Sequence, residues 1–169
     1  MRIQTLIVGI GLTLASMISA NGLRIGRLAQ AQVVQPSQQV TLFENVTLSP
    51  SFSPDPITVR GISGGQQAAS AVAGRPETDT GSCVGFVDGP PDHRMTLTEF
   101  FDYLSLEIQS PDDTTLVIRG PGGSWCNDDY SGVNPGIAGQ WFSGTYEIWV
   151  GSYQENSYHP YVIRISAVR

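Results

Sequence analysis

The stretch Tyr103-Leu104-Ser105-Leu106-Glu107-Ile108-Gln109 decides the fold class, because its apolar residues recur at every second position. Leu104, Leu106 and Ile108 fall on one face of an extended chain, and polar side chains fall on the other. This period is typical of a strand that buries one face and leaves the other in water. The segment therefore predicts a half-buried strand.

Five further segments show the same alternation and predict five more strands, at residues 57–60, 95–98, 116–119, 146–150 and 161–165. Turn signals rich in Gly, Pro, Asp and Asn lie between them, at residues 88–91, 110–113, 120–123 and 134–136. Glycines and prolines are spaced so that no stretch favours a long amphipathic helix. The pattern predicts an all-β fold, either an antiparallel sandwich or a barrel.

The charge of the chain is unevenly distributed. All nine basic residues are arginines, three of them fall in the first 31 residues, and all 15 acidic residues come later. The remainder therefore has 6 arginines against 15 acids, a formal charge of −9. A body this acidic repels phosphate groups, which argues against nucleic-acid binding and against docking on anionic lipid.

The N-terminus has the features of a secretory signal. Arg2 precedes an apolar run at residues 6–17, and Ala29-Gln30-Ala31 supplies a small-x-small cleavage pattern. We predict a signal peptide at 1–31, an extended leader rich in Pro, Ser and Gln at 32–56, and a β-sandwich domain at 57–169. The protein would then be secreted or periplasmic, with no stable membrane insertion after cleavage. The alternative is an uncleaved anchor, since residues 3–20 are almost long enough to span a bilayer.

Cys83 and Cys126 are the two cysteines of the chain. An exported chain with an even cysteine count favours a disulfide between them. The alternative is a zinc site that adds His93 and His159, but the four residues lack the close spacing that zinc sites show.

An acidic turn follows Cys126. Asn127, Asp129 and Ser131 alternate as oxygen-bearing residues before Gly132, as at the start of a calcium loop, and Asp128 is an additional ligand candidate. The segment predicts a structural Ca²⁺ site. The alternative is that these side chains cap a turn by bonding their own backbone.

Two other features bear on function. Gly61-Ile62-Ser63-Gly64-Gly65 resembles the sequence around the nucleophile of trypsin-like serine proteases, but no histidine precedes Ser63. A serine needs a base in hydrogen-bond reach, so we predict a glycine-rich strand end or turn and no catalytic residue. Alternation places Trp149 on the less buried face of its strand, where its ring could stack on a sugar or peptide; packing against the opposite sheet is the alternative.

The run Thr-Thr-Leu-Val-Ile-Arg-Gly-Pro-Gly-Gly-Ser-Trp-Cys-Asn-Asp-Asp, which begins at Thr114, resembles the bacterial pre-peptidase C-terminal domain. So do Asn134-Pro135 and the segment Ser143-Gly144-Thr145-Tyr146-Glu147-Ile148-Trp149-Val150-Gly151. The resemblance covers roughly residues 57–168. It implies a secreted, jelly-roll-like β-sandwich, often appended to proteases or used for substrate adhesion, and it carries calcium binding at acidic turns over to Asn127, Asp128 and Asp129.

These observations together predict a secreted, non-enzymatic binding or accessory domain. Its partner would be an extracellular or envelope ligand, either a protein or a polysaccharide. A small secreted hydrolase or peptidase-associated protein is one alternative, and a structural protein of the cell envelope is another.

Overall fold

Two β-sheets packed face to face form most of the fold in the computed structural model, which describes residues 40–169. The predicted signal peptide and the first part of the predicted leader lie outside these residues. Within the described part of the chain, no helix is long and apolar enough to cross a bilayer.

The elements follow one another along the chain in this order: β1 (Val46–Leu48), β2 (Ile57–Ile62), β3 (Gln67–Ala68), α1 (Ala69–Ala73), β4 (Glu77–Thr78), β5 (Gly81–Ser82), β6 (Phe86–Val87), β7 (His93–Leu97), β8 (Phe101–Gln109), β9 (Thr114–Gly120), β10 (Gly123–Asn127), β11 (Gly136–Trp141), β12 (Gly144–Ser152) and β13 (Pro160–Ser166).

Strand β12 is the centre of the first sheet. It pairs with β7 on one side and β9 on the other; β1 extends the sheet beyond β7, and β10 extends it beyond β9. The short strands β6 and β3 join the same sheet at the end of β12. The second sheet has the order β11-β8-β13-β2. All pairings are antiparallel except that of β1 with β7, and β4 and β5 form a separate small hairpin.

The main core fills the space between the two sheets. Leu104, Leu106 and Ile108 of β8 face it as the alternation predicted, and they meet apolar side chains from the opposite sheet: Met95, Leu97, Leu116, Ile118, Tyr146, Ile148 and Val150. Each fully buried side chain of this size contributes about 1.5–3 kcal/mol. The sandwich therefore depends on the strands that the sequence pattern identifies.

A second, smaller core covers the outer face of the first sheet. Helix α1 packs there through Ala69 and Ala73, together with the disulfide-bonded cysteines and the side chains of Val87, Val117 and Trp149. The part of this face around Val117 and Trp149 is therefore buried, whereas Arg94, Arg119 and Thr145 on the same face are exposed.

All six strands that alternation predicted are present, as β2, β7, β8, β9, β12 and β13. The structure also contains strands that alternation did not predict. Strand β1 lies within the predicted leader, where Leu48 is buried and its carbonyl oxygen accepts a hydrogen bond from the Thr98 N–H at 2.9 Å. From Val46 onward the leader is thus part of the first sheet. A three-residue strand is too short to show a period in the sequence.

Candidate functional site

An aromatic cavity lies between the edge strands of the two sheets. Among the described strands, β10 pairs only with β9 and β11 pairs only with β8, so the cavity opens along one side of the sandwich. Its volume is about 120 Å³. The lining side chains are mostly apolar, with Thr80 and Gln140 as polar members: Thr80, Pro121, Trp125, Ile137, Ala138, Gln140, Trp141, Phe142 and Tyr146.

Three aromatic rings form the floor of this cavity. The Trp141 and Tyr146 rings meet edge to face with centroids 5.0 Å apart, and Trp125 lies 6.4 Å from Trp141 and 6.1 Å from Tyr146. Phe142 stands at the mouth, 62% exposed, with its ring 6.0 Å from that of Phe100. Offset and edge-to-face contacts at these distances hold aromatic groups in a fixed arrangement.

The polar atoms of Trp141 and Tyr146 are already satisfied within the protein. Trp141 Nε1 donates to the carbonyl oxygen of Leu104 at 2.9 Å, and the Tyr146 hydroxyl donates to the carbonyl oxygen of Phe142 at 2.9 Å. Burial raises the pKa of Tyr146, so its hydroxyl stays neutral. None of the described lining residues carries a charge. The cavity therefore offers an apolar surface to a guest.

The sequence analysis did not identify this cavity. A usable signal is the adjacent pair Trp141-Phe142 just before the Ser143-Gly144 turn. Neighbouring residues on a strand point to opposite faces, so two large aromatics in succession cannot both enter one core. Trp141 is buried and Phe142 is exposed, as this rule requires.

Trp149 does not have the exposure that ligand stacking requires. Alternation places it on the outer face of β12, but the residue is only 3% exposed within the second core. Its Nε1 donates to the carbonyl oxygen of Gly89 at 3.3 Å, and the Arg119 guanidinium lies 5.8 Å from the ring centroid. The prediction of a stacking platform at Trp149 is wrong, because helix α1 and the Cys83–Cys126 disulfide cover the face that alternation assigned to solvent.

The predicted calcium ligands lie at the end of β10 and in the loop after it. Asn127 has a structural role there: its amide nitrogen donates to the carbonyl oxygen of Thr80, and its side-chain oxygen accepts from the Gly136 N–H at 3.0 Å. The Ser131 N–H donates to the carbonyl oxygen of Asn134 at 2.9 Å, which closes the turn. The Asn127 side chain thus links β10 to the Thr80 segment and to the start of β11, and Ser131 contributes its backbone to the turn. Neither contact is the local side-chain cap that the sequence offered as the alternative to calcium.

Carboxylates nevertheless gather near this turn. Burial, followed by the neighbouring charges of Asp129 and Asp113, raises the pKa of Asp128, and burial together with the charge of Asp129 raises the pKa of Asp113. Within residues 40–169, no three side chains of His, Cys, Asp or Glu are arranged to hold a metal ion. Calcium binding at Asp128 and Asp129 stays a prediction, and Asp113 belongs to the same electrostatic neighbourhood.

Cys83 and Cys126 form a disulfide, the pairing that the sequence analysis predicted, with their Cα atoms 5.1 Å apart. Hydrogen bonds flank the bridge: the Cys126 N–H donates to Thr78 Oγ1, and Thr80 Oγ1 donates to the carbonyl oxygen of Cys126. The bridge therefore ties the segment after β5 to strand β10, and a zinc site that uses these cysteines is excluded.

Ser63 is buried in the glycine-rich segment after β2. Its hydroxyl is 2.8 Å from the hydroxyl of Ser152 and accepts a hydrogen bond from the His159 backbone N–H at 3.2 Å. Gly65 follows with φ +142, and a Cβ there would collide with the backbone of Val87. The segment is thus a tightly packed strand end, and within residues 40–169 the hydrogen bonds of the Ser63 hydroxyl go to the Ser152 hydroxyl and the His159 backbone N–H.

A buried polar group joins the ends of β7 and β13. The ring of His93 is bonded on both sides: Nδ1 donates to the carbonyl oxygen of Glu44 at 2.7 Å, and Nε2 accepts from the Tyr161 hydroxyl at 2.8 Å. Burial lowers the pKa of His93.

The neighbouring carboxylate of Asp92 is half-buried, and its Oδ2 accepts a hydrogen bond from the Val150 N–H at 2.7 Å. Burial raises the pKa of Asp92 to about 7. The bond from Val150 opposes this rise, and the negative charge of Asp88 adds to it.

The fold and its bridge define a disulfide-bonded β-sandwich. Over 114 residues the chain is 30% identical to an uncharacterized protein of Synechococcus elongatus, in an alignment that covers 65% of this chain and 75% of that protein. The chain belongs to the same family as that protein. No protein-family model matches the chain.

Among solved structures, the chain is similar to the pre-peptidase C-terminal domain of a collagenase from Bacillus anthracis. The sequence identity is 10%, the TM-score is 0.43, and the match covers 72% of this chain and 94% of that domain. A likeness of this size carries no conclusion about function.

Proposed function

We propose that the chain is an exported binding domain whose aromatic cavity receives an apolar side chain from an extended segment of a partner protein. The observation that carries the proposal is the uncharged cavity between β10 and β11, with the exposed ring of Phe142 at its mouth. Exposed aromatic groups beside a preformed pocket are frequent anchors of protein interfaces.

The size of the cavity favours one side chain as its guest. An apolar cavity of about 150 Å³ holds a benzene-sized group, so one of about 120 Å³ fits a branched aliphatic side chain. A sugar would need several hydrogen-bonding partners, whereas the lining offers few: the side chains of Thr80 and Gln140 and the indole N–H of Trp125. A peptide is therefore the better match.

The edge strand β11 supports the same proposal. Its outer edge runs along the cavity and pairs with no other described strand. Beyond the Gly136 N–H, which already donates to Asn127 Oδ1, its backbone groups can bond an added strand. A partner segment in extended conformation would pair with this edge and direct every second side chain toward the cavity. The register of the partner segment on β11 and the depth of the cavity would together determine which residue of that segment must be apolar.

Export is the second part of the proposal. The disulfide Cys83–Cys126 and the apolar N-terminal run of the sequence support it, because stable disulfides belong to oxidising compartments. Mass spectrometry of the protein recovered outside the cytoplasm tests this part, and a mature N-terminus at Gln32 is the expected result.

Selection of random displayed peptides on the purified chain tests the binding site. The expected peptides share an apolar residue at one fixed position, and their binding changes the tryptophan fluorescence because Trp125 lines the cavity. Phe142→Ala should weaken binding by about fivefold or more, the effect of removing an interface anchor worth about 1 kcal/mol.

Tyr153→Ala is the matched control, because Tyr153 is also a largely exposed aromatic residue but does not line the cavity. Equal loss in the two variants, or selected peptides without a fixed apolar position, would contradict the proposal. A soluble glucan that binds in a Phe142-dependent way, when no peptide does, would instead identify the polysaccharide alternative.

A further inference from the structure

A hydrogen-bonded chain of Ser157, His159 and Asp112 lies at the surface where the loop after β12 meets the turn after β8. Ser157 Oγ is 2.9 Å from His159 Nε2, and His159 Nδ1 is 2.9 Å from Asp112 Oδ2. These three residues are distinct from the aromatic cavity and from the buried Ser63.

The directions of these two hydrogen bonds follow from the chemistry of the three groups when the His159 ring is neutral. An ionised carboxylate only accepts hydrogen bonds, so the neutral ring must carry its proton on Nδ1, which donates to Asp112. His159 Nε2 is then the acceptor, and the Ser157 hydroxyl donates to it. A nucleophile, a base in hydrogen-bond reach and a carboxylate that orients the base make up the arrangement of serine hydrolases.

The backbone around the two loop residues is held in place. Ser157 and His159 are two positions apart in the segment before β13, and the His159 carbonyl oxygen and N–H both bond Ser63. Asn156 adopts a left-handed conformation with φ 57, its N–H donates to Gly65, and its side chain accepts from Gln66 Nε2. The glycine-rich segment around Ser63 thus supports the loop that carries Ser157.

Unlike Ser63, this serine is accessible. The side chains of His159 and Asp112 are 25% and 47% exposed, and Ser157 is half-buried. All three line a surface cleft of about 190 Å³ together with Asp113, Tyr153 and Gln154. The cleft is large enough for a short acyl group, and its two carboxylates repel anionic substrates.

We infer that Ser157 is a nucleophile that accepts the acyl group of small neutral or cationic esters, with His159 as its base and Asp112 as the residue that positions the base. This activity goes beyond the binding role proposed above and does not depend on it, because the two sites share no residue.

The reaction balances with water as the only co-substrate. Ser157 Oγ attacks the ester carbonyl carbon while its proton moves to His159 Nε2, and the bond to the alkoxide breaks as that proton passes to the leaving oxygen. Water then attacks the acyl-serine and gives a proton to His159. The bond to Ser157 Oγ breaks, Oγ takes the proton back, and the carboxylic acid leaves.

The test uses the full chain with two probes, a fluorophosphonate and p-nitrophenyl acetate. We expect the fluorophosphonate to label the folded protein at Ser157, located by peptide mapping, and denatured protein to stay unlabelled. Ser157→Ala and His159→Gln should each abolish labelling and lower ester hydrolysis by about 10²-fold or more. Asp112→Asn should lower ester hydrolysis by about tenfold or more, because an amide at this position favours the His159 tautomer that has its proton on Nε2 and cannot accept from Ser157.

Ser51→Ala, at an exposed serine of the segment before β2, is the matched control and should keep full labelling. Circular dichroism and melting temperature establish that each variant is folded. No labelling of Ser157 in the wild-type chain would overturn the inference. So would equal labelling of a folded His159→Gln variant, or hydrolysis that persists in Ser157→Ala and is lost in His159→Gln, because the imidazole would then be the nucleophile.

Discussion

Replacement of Asp92 by Asn should change the pH dependence of stability. Burial raises the pKa of Asp92 from its ordinary value of 3.8 to about 7 in the folded chain, whereas the unfolded chain releases this proton near 3.8. Between these two pH values the folded state binds more protons than the unfolded state, so stability falls as pH rises. Asn keeps an acceptor for the Val150 N–H and does not ionise, so this loss should disappear.

The magnitude follows from the two pKa values. At about 1.36 kcal/mol per pH unit, ionisation of Asp92 should cost the folded wild-type chain about 4 kcal/mol above pH 7. Water that enters the site on ionisation reduces this figure, so it is an upper bound. Asp92→Asn should therefore match the wild type below about pH 4 and exceed its stability increasingly up to pH 8.

Urea denaturation of both proteins between pH 3.5 and 8.5 measures this difference. Asp102→Asn is the control, because Asp102 is exposed on β8. A difference between Asp92→Asn and wild type that stays constant with pH would refute the reasoning, since it would mean that Asp92 ionises alike in the folded and unfolded chains.

Three further outcomes are expected. Replacement of both Cys83 and Cys126 by Ala should lower the free energy of unfolding by about 4 kcal/mol, because the bridge closes a loop with a sequence separation of 43; urea denaturation of the oxidised and variant chains measures it. Calcium at 100 times its dissociation constant should add about 2.7 kcal/mol and raise the melting temperature by several degrees, with Asp129→Ala removing most of the shift. Asp102→Ala serves as its control, and equal shifts with calcium and magnesium would end the calcium hypothesis. Ser63→Ala should leave peptide hydrolysis unchanged in a casein assay and should destabilise the chain by about 1–3 kcal/mol, because its buried hydroxyl partner loses a hydrogen bond.

The two proposed sites differ in how far the sequence indicated them. The sequence shows Trp125, Trp141 and Phe142 as aromatics of the C-terminal half, but it does not show that β10 and β11 end up as facing edges. Ser157 and His159 are visible only as a short Ser-x-His pattern, which is too common to mark a site. Their third member, Asp112, lies in the predicted turn at residues 110–113, far from Ser157 and His159 in the sequence.

By itself, the sequence determined the six main strands and the disulfide. Alternation in β8 is a local property, and two cysteines leave one intramolecular pairing. Only the tertiary structure decided which faces stay in water. The alternation of apolar residues placed Trp149 on the correct face of β12. Its burial, however, depends on helix α1, which comes from a distant part of the chain. Periodicity reports the two faces of a strand, whereas exposure depends on what packs on each face.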